Sequence, residues 1–198
     1  MATTKAAAII IARGTSNAAF AQLIANVATT RIGTTATLTM ASTATLATND
    51  YCLIQGHDIE EYNGVFQVTV ASGTTITYTI KQDPGASSTV TTATVDKVTR
   101  GTPLDMSTDF GAQVFGFIQN GNSAPGVAAQ VWKGVSGTSS DVDYIWKPFI
   151  AGDITAKSLT PINDTLDISA MFVNYVVCRN TTNAVDCTIQ ASHVTAAA

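Results

Sequence analysis

The sequence predicts a mainly β chain: two antiparallel β-barrel-like or sandwich-like parts, with one short N-terminal helix. Three observations predict it. From residue 34 onward, polar and apolar residues alternate with a period of two over short runs. Gly, Asn, Asp and Pro break those runs at roughly ten-residue spacing, as in all-β domains. No strand-like run alternates with a helical pattern, which disfavours a parallel α/β fold.

The elements follow in order. Residues 5–11 are short, apolar and rich in Ile, and read either as an ordinary strand or as an extended arm that adds to a neighbouring subunit. After Gly14-Thr15-Ser16, residues Phe20, Leu23, Ile24 and Val27 fall at i, i+3, i+4 and i+7, one face of a helix. Ser16 is placed to cap that helix, and Thr29-Thr30 and Gly33 to end it. Thr37 to Met40 then alternate as a half-buried strand does. Further strands are predicted at 51–55, 65–70, 75–80 and 90–98, separated by Asn63-Gly64, Ser72-Gly73 and Asp83-Pro84-Gly85. Threonine supplies the polar half of the alternation, because its β-branched side chain suits a strand without adding charge. Arg100-Gly101-Thr102-Pro103 reads as the exit from this module. A second β-rich part follows, with strands at 113–119, 129–135, 144–149, 167–178 and 185–194, the last two read as a terminal hairpin. The chain is thereby divided into an arm and helix (1–33), a small inserted β-module (34–98) and a larger domain (99–198) that holds Trp132 and Trp146.

Composition narrows the function. The 198 residues carry 10 Lys and Arg against 14 Asp and Glu, so no positive surplus exists to neutralise phosphates, and nucleic-acid binding is not expected. No apolar run approaches the ~20 residues that span a bilayer, so no membrane partner is expected. The apolar run 6–12 is too short for a signal-peptide core and leads directly into Arg13, so folding in a cytoplasm is expected. Cys52, Cys178 and Cys187 are an odd number in a chain large enough to need no staples, and read as buried thiols.

No residue set reads as catalytic, cofactor-binding or metal-binding, and an enzyme is not expected. His57 has Asp58 and Glu60 nearby as possible orienting carboxylates, but a turn histidine beside acids reads as solvated. His193 has no acidic neighbour. The acidic groups Asp58, Glu60, Glu61 and Asp141, Asp143 lack the offsets of a calcium loop. Cys178 and Cys187 supply two zinc ligands at most. Phosphate-cradling loops and nucleophile elbows are absent from the sequence. Trp132, Trp146 and Tyr144 could stack sugars, although core packing is the commoner use of such aromatics.

One stretch, 37–95, carries a resemblance. The run Asp50-Tyr51-Cys52-Leu53-Ile54-Gln55-Gly56-His57, then Glu61-Tyr62-Asn63-Gly64-Val65-Phe66-Gln67-Val68-Thr69, then Thr74-Thr75-Ile76-Thr77-Tyr78 resembles a β-module of tailed-bacteriophage virion proteins. Its pattern is a strand ending in G-H, a polar loop into Y-N-G, and a Thr-rich hairpin, with Asn-Gly making a tight turn. The resemblance implies a virion structural protein without catalytic residues, assembled in a host bacterial cytoplasm. Charged residues at only 12 %, about half the usual share, suit a surface packed between neighbours. The expectation is a capsid decoration (cement) protein that binds the major capsid protein or other virion subunits and forms homo-oligomers. Two alternatives stay open: a tail tube, connector or short fibre protein, with 99–110 as an inter-subunit loop, and a carbohydrate- or host-binding β-module.

Overall fold

A computed structural model describes residues 3–17, 22–107, 109–119, 127–140, 142–154, 159–166, 171–178 and 185–196. The first strands are β1 (Thr3–Asn17), β2 (Leu23–Ile24), β3 (Thr30–Ile32), β4 (Thr35–Thr39), β5 (Tyr51–Gln55), β6 (Gly64–Val70), β7 (Thr75–Thr79) and β8 (Thr94–Arg100). The remainder are β9 (Leu104–Asp105), β10 (Asp109–Gln119), β11 (Val127–Ser136), β12 (Ile145–Ile154), β13 (Leu159–Leu166), β14 (Phe172–Cys178) and β15 (Val185–Ala196). Among the described residues, the helical content is one 3-10 turn, Glu60–Tyr62.

The strands belong to two units. A split unit comprises Met1–Ala19, Thr99–Ser140 and Tyr144–Ala198; an inserted unit comprises Phe20–Val98 with Asp141–Asp143. Residues 1–33 therefore do not stand apart: β1 belongs to the split unit, and β2 and β3 to the inserted one.

In the inserted unit the antiparallel strands run β8-β5-β6-β7-β4-β3, with β2 beside β8. The period of two is visible directly in β4 and β7. Ala36, Leu38, Ile76 and Tyr78 are buried, while the threonines between them face outward or are half-buried. Those threonines meet across the strands as Thr35–Thr79, Thr37–Thr77 and Thr39–Thr75. Such cross-strand pairs each contribute roughly 0.2–1 kcal/mol. The inward side chains, with Cys52, Ile54, Tyr62, Phe66, Val68 and Val95, form one apolar cluster. Ala25 meets Met40 through a single bridge, and among the described residues no barrel closes.

The expected N-terminal helix is corrected here. Ser16 lies in β1 opposite Asp186, Phe20 lies outside the described residues, and Leu23 and Ile24 pair with Val95 and Thr94. Ile24 and Val27 are exposed, whereas Ala25 is buried, so the helical stripe is not the buried face. The reason is tertiary. Ala25 N–H donates to the Ala93 carbonyl (2.8 Å) and Asn26 N–H to the Thr39 carbonyl (3.1 Å), which uses this backbone to bridge two strands. An isolated helix of this length is marginal in water, and a sheet that satisfies the same groups wins.

The split unit is a sandwich. One layer has the order β1-β15-β10-β13; the other contains β12-β11-β14, with β9 against β14. One core joins them, with Ile10, Val114, Ile118, Ile162, Leu166 and Ile189 from the first layer and Val131, Val173, Tyr175 and Val177 from the second. Residues 5–11 are therefore in a strand of their own chain, paired with β15. The terminal hairpin is also corrected: β14 pairs with β11 and β9, whereas β15 pairs with β1 and β10. In β14, residues 173–178 are all buried, so burial does not alternate along that strand, and Asn174 is the polar residue within it.

Candidate functional site

The residues singled out around His57 come together as a network between two loops of the inserted unit. Asn63 organises the first loop with its side chain. Its Oδ1 accepts the His57 N–H (2.9 Å), and its Nδ2 donates to the carbonyls of His57 (3.1 Å) and Ile59 (3.3 Å). The tight turn expected at Asn63-Gly64 is absent: Asn63 has φ −95°, and β5 reaches β6 through the whole 56–63 loop. Gly56 (φ 88°) and Gly64 (φ 147°) frame that loop in backbone conformations that favour glycine.

The second loop, 86–90, is fastened to the first. The Ser88 hydroxyl donates to Asp58 Oδ1 (2.6 Å), the Thr89 hydroxyl donates to Asp58 Oδ2 (2.7 Å), and the Tyr62 hydroxyl donates to the Ala86 carbonyl (2.6 Å). The Ser88 and Thr89 hydroxyls hold the Asp58 carboxyl down at about 2. Glu61 accepts from Gln82 (2.9 Å), which lowers its pKa as well. His57 is not solvated. It is 8 % exposed, its ring lies 5.4 Å from that of Tyr62, and its Nδ1 lies 2.9 Å from the Ser88 hydroxyl. Burial lowers the His57 pKa, and the Asp58 charge opposes that shift. Sequence reasoning found His57 and Asp58 but not Ser88 or Thr89, because a 30-residue separation leaves no local spacing to read.

The remaining candidates are dispersed. Asp143 is 3.8 Å from Lys81, and Asp141 lies outside the described residues. Cys52 and Cys178 are buried thiols in different units. The backbones of Cys187 and His193 belong to β15, but their side chains lie outside the described set. Cys187 stands opposite Thr15 and Ile118, whereas Cys178 stands opposite Gln130. Among the described residues, no three His, Cys, Asp or Glu side chains gather as a metal site, and no helix is long and apolar enough to cross a membrane.

Two of the three aromatics of the possible sugar platform pack against their neighbours. Tyr144 is buried with its ring 5.3 Å from Trp146, and the Trp146 ring lies close over Gly134 on the paired strand. Trp132 donates its indole N–H to Gln130 (2.9 Å).

Among the described residues, three of the six exposed large apolar side chains sit on edge strands, a placement that the sequence did not reveal. Ile9 (62 % exposed), Ile32 (88 %) and Ile145 (67 %) lie on β1, β3 and β12, each at the end of its strand order. Two of the long edge strands also carry prolines, Pro148 in β12 and Pro161 in β13, which remove ladder donors.

Comparison with known proteins finds no matching family model and no matching curated sequence. Among solved structures, the chain is similar to the infectious bursal disease virus particle at 11 % identity and a TM-score of 0.32, covering 98 % of this chain and 68 % of that one. The VP2 subviral particle of the same virus gives 12 % identity and 0.31, covering 98 % and 70 %. An Arthrobacter globiformis isomalto-dextranase gives 10 % and 0.27, covering 86 % and 34 %. These weak neighbours include viral capsid proteins and a glycan-degrading enzyme, and at such TM-scores they assign no activity.

Proposed function

We propose that the chain is a virion structural protein that binds a capsid lattice as a decoration (cement) protein, acting as a homo-oligomer on the particle. The observation that carries this reading is the use of the 50–78 pattern. Its Gly56, His57, Tyr62, Asn63 and Gly64 fasten loops together, which is what a structural module requires of them. Exposed isoleucines on three edge strands supply apolar contacts for neighbouring subunits. The low share of charge favours packing between copies over life as a free monomer. Gly101 and Thr102 donate backbone N–H groups to the Tyr175 and Ile10 carbonyls, so the start of the 99–110 stretch is bonded within its own chain, and a tail tube, connector or short fibre protein stays the alternative.

The deciding experiment is the location and copy number of the chain in purified particles. Recovery with tail-less heads at a stoichiometry matching capsomer symmetry supports the proposal. Recovery only with tails, self-assembly into rings or tubes, or glycan binding by an isolated monomer overturns it.

A further inference from the structure

We infer that His57, Ser88 and Asp58 form an acid-releasable latch between the 56–63 and 86–90 loops of the inserted unit.

The hydrogen bonds around Ser88 decide which ring nitrogen of His57 carries a proton. An ionised Asp58 carboxylate only accepts, and its Oδ1 lies 2.6 Å from the Ser88 Oγ, so the single hydroxyl proton of Ser88 points to Asp58. Ser88 Oγ then acts as an acceptor toward its other neighbours, the Val90 N–H at 3.3 Å and His57 Nδ1 at 2.9 Å. His57 must therefore carry its proton on Nδ1. This leaves a bare lone pair on Nε2, which is buried and has no hydrogen-bond partner. A neutral ring tolerates that arrangement. An imidazolium does not, because its second N–H would stand buried without an acceptor.

The surrounding charges do not reverse this. On its own loop, His57 faces Asp58 and the Tyr62 ring; from the 86–90 loop it faces the uncharged Ser88. Arg31, Asp83 and Glu61 act on Tyr62, whereas the charge acting on His57 is that of Asp58. Asp58 favours the imidazolium, but the loss of hydration on burial outweighs it. Parting the loops gives Nε2 to water and returns the ring to its ordinary value of about 6.5. Protons then bind the open latch more tightly than the closed one, so acid opens it as pH falls below that value. Asp58 does not titrate in the same range, since its carboxyl is held at about 2.

Nitrogen-15 spectra of the intact chain, with the His57 ring nitrogens assigned, test the latch. At about pH 7 the ring should be the Nδ1–H tautomer, and it should titrate below 6.5. Between about pH 7 and pH 5, amide-exchange protection at His57, Thr89 and Val90, corrected for intrinsic rates, should fall as the ring takes up its proton. Protection at Ile76 and Tyr78 should hold. In His57→Asn the side-chain amide can still donate to Ser88 but does not titrate, so the pH dependence should vanish. An Nε2–H tautomer, titration at or above 6.5, or unchanged protection in the wild-type chain overturns the latch, and these readings stand even if the variant fails to fold.

Discussion

The two units solve the same problem, closing antiparallel ladders around an apolar core, with partners at very different distances along the chain. In the inserted unit, β3 pairs with β4, β5 with β6 and β6 with β7, each its next neighbour in sequence. In the split unit, β1 pairs with β15, so Thr3 stands opposite Ala196. Closing short loops costs less chain entropy than joining two chain ends. Their polar anchors differ too. The inserted unit fastens its loops with Asn63, Asp58, Ser88 and Tyr62. The split unit places its main polar group on strands: Asp164 of β13 accepts from Lys133 Nζ (2.8 Å) and from the Tyr175 hydroxyl (2.5 Å). The inserted unit should therefore hold its structure when the split unit is damaged, because the ladders that join β3 through β8 pair within residues 30–97.

The largest expected effect tests that independence. A Cβ at Gly116 would overlap the Thr188 backbone carbonyl, so Gly116→Ala should pry β10 from β15 and destabilise the split unit by about 3 kcal/mol or more. Denaturant unfolding followed by resolved amide signals should show the split unit lost and Tyr78 still protected. Simultaneous loss of both units would break the comparison.

Asp164→Ala comes next. It strands the Lys133 ammonium and the Tyr175 hydroxyl in a half-buried site, and should cost the split unit about 2–3 kcal/mol. A midpoint within error of wild type would show that strand pairing alone sustains this unit.

Asn63→Ala should destabilise the inserted unit by about 1–2 kcal/mol, since it leaves the His57 N–H and two carbonyls unpaired. Asn63→Asp can still accept from His57 but cannot donate, so it should fall between alanine and wild type. Equal midpoints for the two variants would remove Asn63 as the organiser of its loop.

The acid limb sharpens the contrast in loop anchoring. Asp58 has a folded-state pKa lowered to about 2, so its stabilisation is complete above the ordinary carboxylate value of about 3.9 and is lost between that value and about 2. A Ser88→Ala, Thr89→Ala double variant should flatten this limb in pH-dependent melting. An unchanged limb would mean that another carboxylate carries it.

The smallest effect on stability should come from Ile32→Thr on the exposed edge strand β3, within about 0.5 kcal/mol. The same variant should weaken particle binding if that edge is an assembly contact, and unaltered binding would remove β3 from the interface.

The sequence by itself determined what has a local period. It placed β5 at Tyr51 to Gln55, predicted the alternation of β4 and β7, and turned their threonines outward, because side chains on a strand change face at every residue. It also drew attention to His57 and Asp58. Tertiary structure decided what depends on distant partners. It made residues 23–26 a bridge between strands rather than a helix, and it paired β15 with β1 rather than with β14. It made a strand of Leu159–Leu166, where the sequence predicted none, and its Pro161 is tolerated because β13 lies at a sheet edge. It buried His57 by laying Ser88 against it across 31 residues of chain. The physical reason is the same in each case. A period of two states which face a residue occupies, but the partner strand or loop is chosen by which backbone groups remain unpaired and which apolar faces remain uncovered once the whole chain has closed.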